Sequence, residues 1–417
     1  MTTIGSIPLA ARPFARPEDL GTIDLTDPAT HAGYDLSEVW RHLRAEHPVY
    51  RHRATARGPA FWVLTRYADV RALHTHDAAF TSERGNVLDT LLAGGDSAAG
   101  AMLPVTDGPR HAALRRLLLR AFTPRALGVV EEQVRRTTRR LLTEAVARGT
   151  VDAAADIAAH IPLATICDLL GVPEADRATV LALTKQVLGS EDGSGDPEDA
   201  WLARNEILLY FADLAAERRD TPHADVVSLL ATAQVDGVDL SEAEVVLNCY
   251  SLILGGDETT RLTMTGGVLA LAEHPDQWAA LRTGDLDAGR AADEVLRWTT
   301  ATTHLGRAAT TDVDLHGTRI AAGDLVTGWT GAANRDPEVF PDPDRFDLAR
   351  TPNRHLAFGQ GRHFCIGAHL ARVQLGVLLD ELRATVSAIE VTGPARWFHS
   401  NFLSGVSGLP VRLHPAA

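Results

Sequence analysis

Phe358-Gly359-Gln360-Gly361-Arg362-His363-Phe364-Cys365-Ile366-Gly367, close to the C-terminus, is a glycine-rich turn wrapped around one cysteine. Gly361 and Gly367 permit tight backbone turns and the close approach of a flat partner, where a side chain would collide. Phe358 is placed to keep water from the sulfur. Beyond the turn, Ile366, Leu370, Val373 and Val377 recur at helical spacing on one apolar face. The spacing predicts a helix with Cys365 at its N-terminus, where free N–H groups and the helix dipole stabilise a thiolate. A lone cysteine is more often buried and inert. A zinc site from His355, His363 and Cys365 lacks a fourth ligand and the usual paired-cysteine spacing.

A thiolate can also hold haem iron, pushing electron density onto the metal and favouring O–O cleavage. The pattern Phe-x-x-Gly-x-x-x-Cys-x-Gly in this turn resembles the haem-thiolate signature of the bacterial cytochrome P-450 monooxygenases. The resemblance extends over nearly the whole chain. It implies a mainly α fold with a small β lobe, a single domain over residues 1–417 enclosing a haem b with Cys365 as thiolate ligand, and a loosely ordered stretch over residues 1–20.

Upstream, Ser241 with Glu244 forms a capping-box signature, and His274-Pro275 ends an apolar run. A single helix over Ser241–His274 would reach about 50 Å, enough to cross the domain. Its middle reads Gly255-Gly256-Asp257-Glu258-Thr259-Thr260. Each glycine weakens a helix by up to about 1 kcal/mol, so the pair is expected to make room for dioxygen and substrate. Gly255 and Thr259 share a face, which sets the hydroxyl beside that opening. The run resembles the family's oxygen-activating acid–alcohol pair. The implied role of Thr259 is to hydrogen-bond the oxygen under activation and a water, and that of Glu258 is to relay protons. Many relatives carry histidine where this chain has Asp257 and alanine where it has Gly255.

The resemblance also names haem anchors. His111 and Arg115, spaced i,i+4, match a propionate-binding pair. Arg307 and His355 match a further arginine and histidine, completing a clamp on the haem carboxylates. Glu294 and Arg297, followed by Arg345, resemble the family's Glu-x-x-Arg framework and are expected to lock the fold behind the haem. Asn86, Val87, Leu88, Leu92, Met102, Leu103, Leu252, Gly255, Gly256, Thr302 and either Phe402 or Leu403 are the candidate pocket residues.

Along the rest of the chain, Glu38–Ala45 reads as a helix, and 48–51 with 61–64 as a hairpin. The stretch 85–104 reads as a functional loop, and 129–183 as helical scaffold. Gly193–Pro197 reads as a small flexible connection over the pocket. Hydrophobic residues make up 45% and charged residues 23% of the 417, ordinary for a globular chain with a large core. The formal net charge of -14 speaks against nucleic acid as a partner. Three scattered cysteines indicate neither a disulfide framework nor a zinc module. With no long apolar segment over residues 1–21, neither a signal peptide nor a membrane anchor is expected, and a cytoplasmic monomer is.

The activity implied is monooxygenation of a mostly apolar small molecule, by hydroxylation or epoxidation, in a secondary-metabolite step. NAD(P)H would supply electrons through a ferredoxin reductase and a ferredoxin, since the chain has no dinucleotide motif of its own. Arg354, Arg362 and His363 are the expected docking charges for the ferredoxin. Oxidative coupling without oxygen insertion, a peroxide-driven enzyme and a non-catalytic haem sensor or electron carrier are the rival readings. A carrier-protein-bound substrate remains open among the substrates.

Overall fold

The computed structural model describes residues 12–122, 124–188 and 196–416. Most of the chain is helical, with one five-stranded sheet and several smaller ones. Residues 1–11 and most of the expected connection at Gly193–Pro197 lie outside the described residues. Asp196 is described, and its carboxylate caps the helix Pro197–Asp220 through the Glu198 amide.

The N-terminal hairpin pairs Val49–His52 with Phe61–Leu64 in antiparallel register. All four residues of Phe61–Leu64 are buried, because the strand continues into a larger sheet. Leu325–Trp329 runs parallel to it, and His304–Ala309 and Phe80–Thr81 complete the order. That sheet carries Arg307 on an interior strand, which fixes its guanidinium toward the site.

The expected loop over 85–104 contains a short helix, Leu88–Leu92. Leu88, Leu91 and Leu92 drop into the N-terminal core beside Phe61, Val63 and Trp329, and this burial organises what sequence alone leaves without periodicity. Within the expected helical stretch 129–183, Thr150–Asp152 forms a strand against Pro410–Pro415. Ala153–Leu170 is long and apolar enough to cross a membrane, yet 67% of it is buried inside the fold, as in the core helix of a globular protein.

The long central helix is two helices, Glu242–Gly256 and Glu258–Glu273, divided at Asp257. Its start is as expected: Ser241 and Glu244 exchange capping-box hydrogen bonds. The break follows from its residues. Two successive glycines hold the helix weakly, and the Thr259 hydroxyl donates to the Gly255 carbonyl at 3.0 Å across the same turn. The halves also belong to different cores. Glu242–Gly256 packs with His160–Leu170 and Pro197–Asp220, and Glu258–Glu273 with Ala288–Thr299 and Ala368–Thr385. The cysteine turn straddles these cores, Phe358 packing on the second and Ile366 on the first.

Candidate active site

The turn 358–367 is held by its backbone. The Cys365 amide donates to the Phe358 carbonyl at 3.0 Å, and the helix Ala368–Thr385 begins just after Gly367. Gly361 has a φ of +75°, and a Cβ there would lie 2.4 Å from the His74 carbonyl oxygen, so no other residue fits. Gly367 leaves the sulfur free on its side, since an added Cβ would meet only Cys365 Sγ, at 3.9 Å. Phe358 is held by Phe364, by His355 and by the Arg372 guanidinium 4.8 Å above its ring.

Of the three cysteines, Cys167 and Cys249 are buried and Cys365 is exposed. The exposed sulfur nevertheless sits deep within the molecule, and this desolvation raises its pKa. The Gly367 N–H, Arg115 and Arg372 act in the opposite direction. A cation bound to the sulfur would complete what those three groups begin.

Around the turn stand basic groups without acid partners. Arg307 is 5% exposed and donates to the Gly306 carbonyl. Burial lowers its pKa to about 10, and no carboxylate among the described residues pairs with it within salt-bridge distance. His111 is buried with Nε2 unpartnered, and burial, with His363 and Arg115 nearby, lowers its pKa to about 4. Buried donors of this kind need an acceptor. A haem thiolate-bound at Cys365, with its two carboxylates, fits this arrangement: a free sulfur, a glycine cradle, and Arg307, His111 and Arg115 as acceptor-seeking groups.

One expected anchor stands elsewhere. His355 already has both nitrogens engaged, with Asp293 at 3.2 Å and the Ala357 amide at 3.3 Å. It belongs to an Asp293–Arg372 cluster under Phe358. The histidine that joins the basic group is His363, whose ring lies 4.3 Å from that of His111 and whose Nε2 contacts Asp107 at 2.8 Å. His363 is therefore turned inward and not available as a surface docking charge. His74, buried with both ring nitrogens unpartnered, also faces Arg307 and His363 and was not legible as part of the site.

In the framework, Glu294 accepts from Arg297 Nε and Nη2, both at 2.8 Å, and both side chains are fully buried. The third arginine is Arg350, whose Nε lies 3.2 Å from Glu294. Arg345 is exposed and contributes only its backbone carbonyl, to Arg297 and Arg350. The Asp347 amide and Asn353 fill the remaining sites on Glu294.

On the oxygen side, Glu258 is 1% exposed and held by Arg261, whose Nε lies 3.0 Å from one carboxylate oxygen and 3.1 Å from the other. Thr259 is half-buried. The two glycines divide their work. A Cβ on Gly255 would enter open space, whereas one on Gly256 would lie 2.8 Å from Ile166 Cγ1. Gly255 thus leaves the opening, and Gly256 permits helix packing.

Among the pocket candidates, Leu88, Leu92, Leu103 and Leu403 are buried in local cores. Asn86, Val87, Met102, Leu252, Thr302 and Phe402 keep part of their surface open, so Phe402 rather than Leu403 is free to meet a ligand. A separate cleft of about 600 Å³, lined by Trp40, Trp298, Trp329, Arg44 and Arg335, includes none of these residues nor the cysteine turn.

Fold and site together define a haem-thiolate enzyme. The cytochrome P-450 family profile matches residues 290–382. The chain is 48% identical over 405 residues to cytochrome P-450 NovI of Streptomyces niveus, covering 97% of this chain and 100% of the relative. It is 37% identical over 366 residues to a methyl-branched lipid omega-hydroxylase of Mycobacterium tuberculosis, covering 85% and 84% of the two chains. The crystal structure of P-450 OxyD, involved in the biosynthesis of vancomycin-type antibiotics, superposes with a TM-score of 0.86 at 35% identity, over 94% of this chain and 100% of that one. The chain belongs to the cytochrome P-450 family and is a monooxygenase with a haem-thiolate cofactor.

Proposed function

We propose that this monooxygenase, acting as a single domain over residues 1–417, hydroxylates or epoxidises a mostly apolar small molecule in secondary-metabolite biosynthesis. The observation that carries the site assignment is the exposed sulfur of Cys365, set among the Gly367 amide, Arg115 and Arg372. The similarity to OxyD supports the biosynthetic setting.

Haem b, when bound, supplies oxygen activation and transfer. The chain's residues do the rest. Cys365 donates the thiolate, and the dipole of Ala368–Thr385 favours its ionised form. Arg307, His111 and Arg115 hold the carboxylates, with His363 positioned against His111 by Asp107. Thr259 orders a water at the opening that Gly255 leaves, and Asn86, Val87, Met102, Leu252, Thr302 and Phe402 orient the substrate. Electrons come from NAD(P)H through a ferredoxin reductase and a ferredoxin, docking near the exposed Arg354 and near Arg362, which pairs with Asp77 at 2.5 Å. The enzyme works in the cytoplasm.

Substrates are found by screening apolar small molecules for a spin-state shift, in free and carrier-bound forms alike. Turnover of a hit in labelled dioxygen, with a ferredoxin system, gives one labelled oxygen per product on this reading. Product that forms without label would show oxidative coupling instead. Charge reversal in Arg362→Glu is expected to weaken ferredoxin docking and flatten its salt dependence.

A further inference from the structure

We propose that His304 is a positioning residue for substrate selection: a buried relay of hydrogen bonds through its ring clamps the wall that carries Asn86 and Val87 to the turn that carries Phe402, on the reading above that these residues face the substrate. His304 opens the strand His304–Ala309 and has no exposed surface. Its Nε2 lies 3.1 Å from the Leu88 amide nitrogen, and its Nδ1 lies 3.0 Å from the Thr303 hydroxyl. That hydroxyl lies 2.9 Å from the Asn401 carbonyl and 3.0 Å from that of Phe402.

The proton positions follow from the partners. An amide N–H can only donate, so Nε2 of His304 must accept. In the neutral ring the proton is then on Nδ1, which donates to Thr303, and the Thr303 hydroxyl donates onward to a carbonyl of the 401–402 turn. A doubly protonated ring would face the Leu88 N–H with a second donor. Burial, with His31 nearby, keeps the ring neutral by lowering its pKa to about 3, against the opposite pull of the Asn401 carbonyl.

Two further contacts join the same walls. Asn401 Nδ2 donates to Asp89 at 2.7 Å, and the Gly306 amide donates to the Asn86 carbonyl at 2.8 Å. The His304 ring is itself flanked by Trp329, with centroids 4.9 Å apart, and by Phe402, edge-on at 5.8 Å. Leu88 is the first residue of the helix Leu88–Leu92, and a helix leaves its opening amides without partners of its own. The Val87 side chain supplies no cap, and His304 supplies one from 216 residues further along the chain. The strand therefore sets where the helix begins, and with it where Asn86 and Val87 stand against Phe402. A wall fixed in this way holds the pocket to one width and sorts ligands by bulk.

Three haem-loaded proteins test this: the wild type, His304→Phe, which keeps a ring and loses both hydrogen bonds, and His304→Gln, whose amide can accept and donate at once. Dissociation constants are read from the Soret shift with imidazole, which is small, and clotrimazole, which is bulky. In His304→Phe the wall yields to bulk, so clotrimazole should bind tighter relative to imidazole by roughly tenfold, about the worth of one hydrogen bond. Peptides covering residues 86–92 should also exchange their amide hydrogens faster, and His304→Gln should restore both readouts. A ratio that stays put or falls in His304→Phe, while the melting temperature drops, gives His304 a purely structural role and overturns the proposal. Where His304→Phe fails to fold, nitrogen NMR of the wild type decides. The ring should be the Nδ1–H tautomer and remain so from about pH 8 to about pH 5, across the range in which an ordinary histidine takes up its second proton. The Nε2–H tautomer, or titration at the ordinary value, overturns the proposal. Failure of the haem-thiolate reading would show in the carbon monoxide spectrum and leave tautomer and exchange unchanged.

Discussion

Replacing Arg307 or His111 with alanine removes a buried donor that has no acid partner within the described chain. Each charge-assisted hydrogen bond to a haem carboxylate is worth about 1.5–3 kcal/mol, so haem should bind roughly 10- to 100-fold more weakly. Haem transfer to an acceptor globin measures this. His355→Ala should leave haem affinity close to the wild type, because His355 serves Asp293. The cysteine and its glycines were legible in sequence because their spacing alone carries the chemistry. The choice between His355 and His363 was not, since both flank the same turn. Only the packing of His363 against His111, on a distant helix, separates them.

At the level of elements, the central helix shows what periodicity can and cannot reveal. Its cap, its length and its glycines were all readable, but the break at Asp257 depends on a hydroxyl–carbonyl contact and on two separate cores. Gly256→Ala pushes a methyl to 2.8 Å from Ile166 Cγ1 and should destabilise the fold by about 1–3 kcal/mol in denaturant titrations. Gly255→Ala, with open space ahead of it, should fold normally and alter which ligands shift the spin state.

Asp257 gives a pH signature at the same scale. Its pKa in the folded chain, about 7, lies above the ordinary 3.8. Between those values the unfolded chain has lost the proton while the folded chain keeps it, so this residue lowers stability progressively as pH rises across that window. Above it the loss is complete. The stability of Asp257→Asn relative to wild type should therefore improve from about pH 4 to about pH 7 and then level off, each unit being worth up to about 1.4 kcal/mol. A difference that stays flat with pH would mean that the carboxyl is ionised throughout.

Across the whole molecule, the Glu294 network ties Ala288–Thr299 to the segment that leads into the cysteine turn. Removing one partner from a buried ionic network costs about 3–5 kcal/mol. Arg350→Ala should therefore lower thermal stability sharply and release haem, whereas Arg345→Ala, which deletes an exposed side chain, should change melting by little. The architecture was legible because the ligand turn, the central helix and the framework acid recur at chain-wide spacing. The third arginine was missed because Arg345 and Arg350 both follow the same proline-rich stretch, and burial alone chooses between them.

The assignment of the site depends on the sulfur of Cys365 binding iron as a thiolate. The carbon monoxide difference spectrum of the dithionite-reduced, haem-loaded protein, taken beside Cys365→Ser, measures that directly. A strongly red-shifted Soret band in the wild type, absent from the serine variant, is the predicted result. An unshifted band in the wild type, or a red-shifted band that survives in Cys365→Ser, would contradict it.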